Sequence, residues 1–328
     1  MNNHLLLPIG NLLNLEILPL HKEWLKKWYN DLELQISEEN LSISDCFQGI
    51  NTELILYGKL KTDWSKILDE LLTDENSKPL AYSEVYGMNR LYKFNEQWKQ
   101  SPVHAIYTHW WIRGILEEAQ KREEIAELIP SLIQNNGWIY NPEVSDTQIQ
   151  TRMKSELLMS MAMGIEILKH HNNLKPYSEK LLVTLMDCPN TGYISAEYFK
   201  VKAFEFLKFS PPISIHEFHY KLLRICNSGK GFSDFSITSK RDDYMGTLKR
   251  IQRDKAIDSP VISVYSHYLA QYFEESKKQD IYTDLNIYGN HLSKEPLDIP
   301  AFRMRDIDIP FGTAITPLEL VASNYLIE

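Results

Sequence analysis

Three glycine–aromatic pairs in the middle of the chain constrain the fold more than any other feature. Each pair precedes a short polar stretch and then a run with helical spacing of apolar residues. The pairs are Gly137-Trp138, Gly192-Tyr193 and Gly231-Phe232, separated by 55 and 39 residues. A glycine allows the left-handed turn that ends a helix, and the aromatic ring beside it can fill the seam between neighbouring helical hairpins. The recurrence therefore predicts a stack of similar hairpins, which can close into a ring.

Apolar spacing predicts helices along most of the chain. The clearest follows Pro142, where Ser145 or Asp146 can cap a helix whose apolar stripe runs from Met153 to Leu168. Strand signals are few, and the apolar run within 51–60 is open between a short strand and a buried helical turn. We therefore predict an all-α fold. The other predicted helices cover 21–37, 64–73, 83–97, 104–121, 122–134, 177–186, 196–206, 215–225, 244–253 and 259–274.

The predicted organisation has three parts. Residues 1–80 form an N-terminal helical extension, and residues 81–279 form a toroid-like core of repeated helical hairpins. From about residue 280 the chain becomes rich in Pro, Asp and Asn. This change predicts that residues 280–328 form an irregular segment that wraps the core and ends in a short helix over 317–326.

Composition narrows the class of protein. The 328 residues are 43% hydrophobic and 24% charged, the balance of a soluble globular chain. A net charge of −9 argues against a broad nucleic-acid surface. No apolar run approaches ~18 residues, so no membrane span is expected, and the N-terminal stretch lacks the basic lead of a signal peptide. Three scattered cysteines predict a reducing, cytoplasmic setting, without a disulfide framework or zinc knuckle.

One of the three turns carries a longer pattern. The segment 134–147 reads QNNGWIYNPEVSDT, and 226–234 and 190–195 repeat parts of its Asn, Gly and aromatic order. The pattern resembles the repeat of the terpenoid cyclase and protein prenyltransferase superfamily. The resemblance spans about residues 100–275 and implies an α/α toroid whose inner helices line a central apolar cavity.

The resemblance does not extend to that family's catalytic motifs. The Asp-x-Asp-Asp cluster that protonates an alkene in the cyclases is absent, and Asp146 is the one acid at the comparable place. Asp187-Cys188 does not match the zinc ligands of the prenyltransferases, and Asp242-Asp243 begins a magnesium motif without completing it. An enzyme of this kind would use Asp146 and His109 for catalysis. Its cavity wall would consist of Trp110, Trp111, Trp138 and Tyr140.

Two further groups of side chains have alternative interpretations. Arg241, Arg250 and Arg253 could grip an anion or phosphate, or they could form a solvated face paired with neighbouring acids. His216 and His219 have a spacing that can chelate a metal on a helix, but no third ligand is evident, and packed or surface histidines fit the pattern better. We predict no metal and no cofactor.

The functional prediction rests on the absence of a complete catalytic motif. The resemblance in fold alone does not decide the activity. The sequence favours a non-catalytic helical-repeat protein that binds another protein as a subunit of a larger cytoplasmic assembly. The alternative is a terpenoid cyclase- or prenyltransferase-like enzyme that holds an isoprenoid-type substrate, an apolar small molecule, in the central cavity. A third interpretation is a helical module that binds a peptide.

Overall fold

The protein is helical wherever the structure describes it. The computed structural model describes residues 17, 19–37, 41–73, 82, 102–140, 147–191, 194–226 and 260–294. These ranges contain helices, turns and an isolated antiparallel bridge between Ile133 and Ile139, and they contain no β-strand. The all-α prediction is confirmed. No helix in the same ranges is both long and apolar enough to cross a lipid bilayer.

Twelve helices account for most of the described residues, and most of them lie close to the predicted ranges. The predicted helices over 83–97, 244–253 and 317–326 lie outside the described residues. The twelve are α1 Pro19–Ser37, α2 Ile43–Tyr57, α3 Trp64–Leu71, α4 Pro102–Ile115, α5 Ala119–Ala126, α6 Ile129–Leu132, α7 Thr147–His170, α8 Ser178–Asp187, α9 Ile194–Phe206, α10 Ile213–Cys226, α11 Pro260–Ala270 and α12 Glu275–Lys294.

The helices group into two compact units. The first unit contains residues 26–189 and 199–210, and the second contains residues 2–25, 190–198 and 211–328. Within the first unit, α2 and α3 pack together and α2 also packs against α4. The sequence-based division at residues 80 and 279 stays a prediction.

Helix α2 resolves the open interpretation of residues 51–60. Ser42 caps its start: the Asp45 amide donates to the Ser42 hydroxyl, and the Asp45 carboxylate accepts from the Ser42 amide at 2.9 Å. Gly58 ends the helix in the left-handed conformation, with φ of 67° and its amide on the Leu54 carbonyl. Residues 51–57 are therefore helical rather than a strand, with 51–54 buried and 55–57 half-buried.

Helix α4 forms the centre of the first unit. All its residues from Val103 to Ile115 are buried except Gly114, and the helix packs against α2, α5 and α7. The predicted continuous helix over 104–121 is wrong, because the chain leaves α4 after Ile115 and Glu117 takes a left-handed φ of 60°. The predicted helix over 122–134 is likewise divided into α5 and the short α6, which has Pro130 in its first turn.

The first glycine of the repeat occupies the tight left-handed turn that the sequence predicts. Gly137 has a φ of 87°, and its amide donates to the Gln134 carbonyl at 3.0 Å. A Cβ atom at this position would lie 2.0 Å from the Thr184 hydroxyl and 3.1 Å from the Lys180 carbonyl of α8. Glycine is therefore required here by both the backbone conformation and the close approach of α8.

The residue that fills the seam beside this turn is not the aromatic one. Trp138 is half-buried, whereas Ile139 is fully buried and packs against Gly164 of α7. The Ile139 amide also points at the Met161 sulfur, 3.2 Å away. Gly192, Tyr193, Gly231 and Phe232 lie outside the described residues, so the equivalence of the three turns stays a prediction.

The second unit is held together largely by aromatic and histidine contacts. Tyr198 of α9 stacks on Tyr265 of α11 at 4.1 Å between ring centroids and meets Tyr268 edge-on at 5.3 Å.

The start of the C-terminal segment differs from the prediction, because α12 remains helical through Lys294. Two of the residues that anchor α12, Ile281 and Leu285, are buried, and this apolar stripe outweighs the polar composition that suggested an irregular chain. Residues 295–328 lie outside the described residues.

Candidate functional site

A buried arginine on α4 organises a network of charged side chains in the first unit. Arg113 is 1% exposed. Its Nε donates to Nε2 of His109 at 2.9 Å, and its Nη1 donates to Glu118 Oε2 at 2.6 Å and to the Ser65 hydroxyl at 3.3 Å. Its Nη2 forms an ion pair with Asp69. The guanidinium therefore has a partner for each of its nitrogens.

Lys121 closes this group from the solvent side. Its ammonium lies 2.7 Å from Asp69 Oδ2 and 3.2 Å from Glu118 Oε1. The Ser65 hydroxyl also donates to Glu118 Oε1 at 2.6 Å. Side chains from α3, α4 and α5 and from the turn before α5 are thus joined in one network. We call it the Arg113 cluster; it consists of Ser65, Asp69, His109, Arg113, Glu118 and Lys121.

The two carboxylates of the Arg113 cluster are held in the ionised form. Burial acts to raise the pKa of Asp69, but hydrogen bonds from Lys121 and Arg113 outweigh it and the pKa lies below its usual value. For Glu118 burial acts in the same direction, and hydrogen bonds from Ser65 and Arg113 again bring the pKa below its usual value. Both acids therefore keep their charge at neutral pH, as their cationic partners require.

His109, one of the two predicted catalytic residues, is neutral in this network. Burial, reinforced by the charge of Arg113, lowers the pKa of His109 to about 3. Because the guanidinium can only donate, Nε2 of the imidazole accepts and Nδ1 carries the proton. That proton points to the Tyr82 hydroxyl, 2.9 Å away. Both ring nitrogens are therefore used inside the protein, and the arrangement suits a residue that positions Arg113.

The predicted cavity residues are distributed over different parts of the first unit. Trp110 and Trp111 are buried on α4, and Trp111 meets Phe47 of α2 edge-on at 5.1 Å. Trp138 and Tyr140 lie on the turn before α7 and are half-buried. Tyr140 has a left-handed φ of 58°, and its amide donates to the Leu132 carbonyl at 3.0 Å. A non-glycine residue in this conformation costs ~1–2 kcal/mol, so the turn is held by its hydrogen bonds.

Four of the predicted site residues lie outside the described residues. They are Asp146, Arg241, Arg250 and Arg253. Their proposed roles in catalysis and anion binding remain predictions.

The histidine pair that sequence reasoning considered for a metal is packed inside the second unit. His219 is fully buried, and its Nε2 lies 3.1 Å from Glu197 Oε2. The other oxygen of Glu197 accepts from the amide of Thr191 at 2.6 Å. His216 stacks on Tyr272 at 5.2 Å between ring centroids. Among the described residues, no three His, Cys, Asp or Glu side chains come together in a way that could hold a metal ion.

Helix α8 presents a different kind of surface. Leu181, Thr184 and Leu185 are buried on its inner face. On its outer face, Val183 is 54% exposed and Met186 is 48% exposed. These two side chains lie one helical turn apart, and we call them the α8 patch. An amphipathic helix normally has polar residues on its solvent side, so two large apolar side chains there are informative.

Sequence reasoning identified His109 but missed its partners. The signal lies in the spacing: Arg113 follows His109 by four residues on a helix that is mostly apolar or aromatic, and such a pair shares one face. A charged residue inside an apolar helix needs partners, and these come from α3 and from the turn before α5. Their distance in sequence made them unrecognisable without the fold.

Comparison with known proteins identified no relative of this chain. No protein-family model, no curated protein and no solved structure matches the chain.

Proposed function

We propose that the chain is a non-catalytic helical-repeat protein that binds another protein as a subunit of a larger cytoplasmic assembly. The observation that carries the proposal is the α8 patch, where Val183 and Met186 expose about half of their side-chain surface. Fully burying a Val or Met side chain contributes about 1.5–3 kcal/mol, so covering the pair would supply a useful part of a binding energy.

The surroundings of the α8 patch indicate the chemistry of the partner. Glu179 and Asp187 lie on the same exposed side of α8, one at each end of the patch, and Lys180 lies beside Glu179. An apolar centre with a charged rim is the usual anatomy of a protein–protein interface. The rim has a net negative charge, as does the whole chain, at −9. The proposed partner therefore has an apolar ridge flanked by Lys or Arg side chains.

The toroid-like arrangement of hairpins is part of the same proposal. In the one turn of the repeat that is described, Gly137 brings the chain against Lys180 and Thr184 of α8. The Thr184 hydroxyl donates at 3.0 Å to the Asn136 carbonyl of that turn. This contact fixes the inner face of α8 and leaves the outer face to a partner. Repetition of the contact at the other two glycines would give neighbouring hairpins the same orientation.

The contacts of His109 are the reason for placing the non-catalytic role ahead of the cyclase-like alternative. Proton transfer to a substrate needs a group with a free ring nitrogen, and both nitrogens of His109 are occupied. The cytoplasmic setting is supported by Cys46, which is a buried free thiol. Burial, reinforced by the charge of Asp45, raises the pKa of Cys46 to about 12, which makes this thiol a poor nucleophile.

The test is retention of a partner by the α8 patch. Tagged wild-type chain and the double variant Val183→Glu/Met186→Glu would be used to isolate stoichiometric partners from the native host under identical conditions. The expected result is a partner retained by wild type and weakened about 100-fold in the double variant, since about 3 kcal/mol of apolar contact is lost. Lys175→Glu, on an exposed turn residue, adds a similar charge as a matched control and should retain the partner.

Equal retention by wild type and the double variant would contradict the proposal. So would the absence of any stoichiometric partner of the wild-type chain. Circular dichroism of both variants would show that helix content is preserved, because the substituted side chains already reach solvent.

A further inference from the structure

The Trp110 ring is the centre of a second polar group in the first unit, separate from the Arg113 cluster. Its indole N–H donates to Nε2 of His171 at 2.9 Å. His170 meets the ring edge-on at 5.2 Å between ring centroids. The guanidinium of Arg122 lies over the face of the ring, with Cζ 3.9 Å from its centroid. These contacts join α4, the start of α5 and the end of α7.

Arg122 forms no ion pair with a described residue, although the charge of Glu166 acts on it from a greater distance. A Cβ atom on Gly114 would lie 2.8 Å from Cζ of Arg122, so the guanidinium fits between this glycine and the Trp110 ring. Its Nε is buried without a hydrogen-bond acceptor, and no carboxylate among the described residues lies within ion-pair distance of its nitrogens. A guanidinium has five N–H donors in a rigid fork that matches the oxygens of a phosphate. The Arg122 guanidinium therefore has donors that could bind a phosphate and that no described carboxylate occupies.

The neighbouring groups add further donors. Since Nε2 of His171 accepts from Trp110, the proton of the neutral ring lies on Nδ1, which is a donor. His170 and Lys169 occupy the last turn of α7, and both are exposed. Burial, reinforced by the charge of Arg122, lowers the pKa of His170 and of His171. A bound anion would oppose that effect, so the cluster can gain positive charge when a ligand arrives.

The carboxylates near the cluster are engaged elsewhere. Glu166 accepts a hydrogen bond from the Tyr107 hydroxyl at 2.6 Å. Burial raises the pKa of Glu166, which reduces the cost of keeping it next to an incoming anion. Glu205 is paired with Lys202 at 2.8 Å. Glu123 is exposed and acts on His171 only through its charge. None of these acids accepts a hydrogen bond from the Arg122 guanidinium.

We propose that Arg122, with His170 and His171 against the same Trp110 ring and Lys169 in the same turn of α7 as His170, binds the phosphate group of a small anionic ligand on the solvent side of Trp110. We call this group the Trp110 cluster. Arg122 supplies the paired donors, Nδ1 of His171 supplies a third, and Lys169 and His170 supply charge at the open edge. The proposed site does not depend on the α8 patch or on a protein partner.

Calorimetric titration of the full chain with inorganic pyrophosphate tests this site. Low ionic strength is required because exposed charges are screened at physiological salt. Wild type should bind saturably, and Arg122→Gln should weaken the affinity about tenfold or more, since hydrogen bonds to a charged group are lost. Lys66→Gln removes one exposed cation of α3 and is the matched control, with an expected change below about twofold. Inorganic phosphate and phenyl phosphate, titrated in parallel, distinguish a free phosphate from a phosphate ester as the preferred ligand.

Three results would overturn the proposal: no saturable binding by wild type up to about 10 mM pyrophosphate, equal affinity in Arg122→Gln, or equal binding of acetate and pyrophosphate. The melting temperature of Arg122→Gln establishes that the variant is folded. If it is not, the double variant Lys169→Gln/His170→Asn leaves the contacts of Trp110 with Arg122 and His171 in place. That double variant should weaken pyrophosphate binding several-fold, and an unchanged affinity would again count against the site.

Discussion

Arg113 and Arg122 lie on neighbouring helices of the same unit and have opposite surroundings. Arg113 is buried among Asp69, Glu118, Ser65 and His109, with a partner for every nitrogen. Arg122 lies over an aromatic ring, with a buried Nε that has no acceptor. Because a buried charge without partners is costly, the ion pairs and hydrogen bonds of Arg113 serve the stability of the fold. The donors of Arg122 remain available to bind a ligand.

The largest expected effect is on stability and separates the two arginines directly. Arg113→Met should lower the free energy of unfolding by about 3 kcal/mol, because it leaves Asp69 and Glu118 with Lys121 as their remaining cation and removes the donor to His109. The value is at the low end for a buried pair since Asp69 is half exposed. Arg122→Met should cost below about 1 kcal/mol, the strength of a cation–π contact at a partly exposed site. Urea unfolding of the two variants measures the difference, and equal losses would break the comparison.

A second expected effect concerns pH and the histidine next to Arg113. The pKa of His109 is about 3 in the folded protein, whereas an unfolded histidine titrates near 6.5. Between these values the unfolded chain binds a proton that the folded chain does not, so stability falls as pH drops from about 6.5 towards about 3. The carboxylates Asp69 and Glu118, whose pKa values are lowered, lose their contribution only in the acidic part of that window.

Substituting His109 isolates its share of this pH dependence. His109→Gln should flatten the dependence of the unfolding free energy on pH between about 6.5 and 5, where the carboxylates remain ionised. The pKa of His170 is also lowered, first by burial, but the side chain is exposed and His170→Gln should change the slope less. Urea titrations at a series of pH values measure both slopes. A larger change for His170 than for His109 would reverse the expected order.

The smallest effect on stability is expected at Gly114 and sharpens the comparison. An alanine there would displace the Arg122 guanidinium, which is the flexible end of a side chain, and it would also replace a glycine inside a helix. These contributions oppose each other, and we expect a change of about 1 kcal/mol or less in the unfolding free energy. Pyrophosphate affinity should nevertheless fall several-fold, because Arg122 loses its fixed position. A variant that binds as wild type would show that the placement of Arg122 over the Trp110 ring is unimportant for binding.

The fold was predictable from the sequence where a local rule controls the backbone. The apolar spacing of α1, α3, α8 and α9 predicts these helices to within a few residues, and the left-handed turn at Gly137 follows from the properties of glycine. The break between α4 and α5 was not predictable, since Glu117 takes a conformation that its residue type disfavours and the nearest glycine, Gly114, lies inside α4 rather than at the break. Tertiary packing decides such positions.

The candidate site was predictable only in part. The aromatic and histidine residues of α4 mark it as unusual. The identity of the partners depends on contacts between residues far apart in sequence, such as Arg113 with Asp69 and Trp110 with His171. The exposed pair on α8 was hidden for a related reason: Val183 and Met186 look like core residues until the buried face of that helix is known.

Urea unfolding of wild type, Arg113→Met and Arg122→Met, each with and without 10 mM pyrophosphate, tests most directly whether one arginine serves folding and the other binding. A ligand that binds only the folded state stabilises it by RT times the logarithm of one plus the ratio of free ligand concentration to Kd. We expect pyrophosphate to stabilise wild type, Arg113→Met to be strongly destabilised yet still to gain from pyrophosphate, and Arg122→Met to keep its stability without any gain. A pyrophosphate effect of equal size in Arg122→Met and wild type, or an Arg113→Met protein as stable as Arg122→Met, would contradict this division.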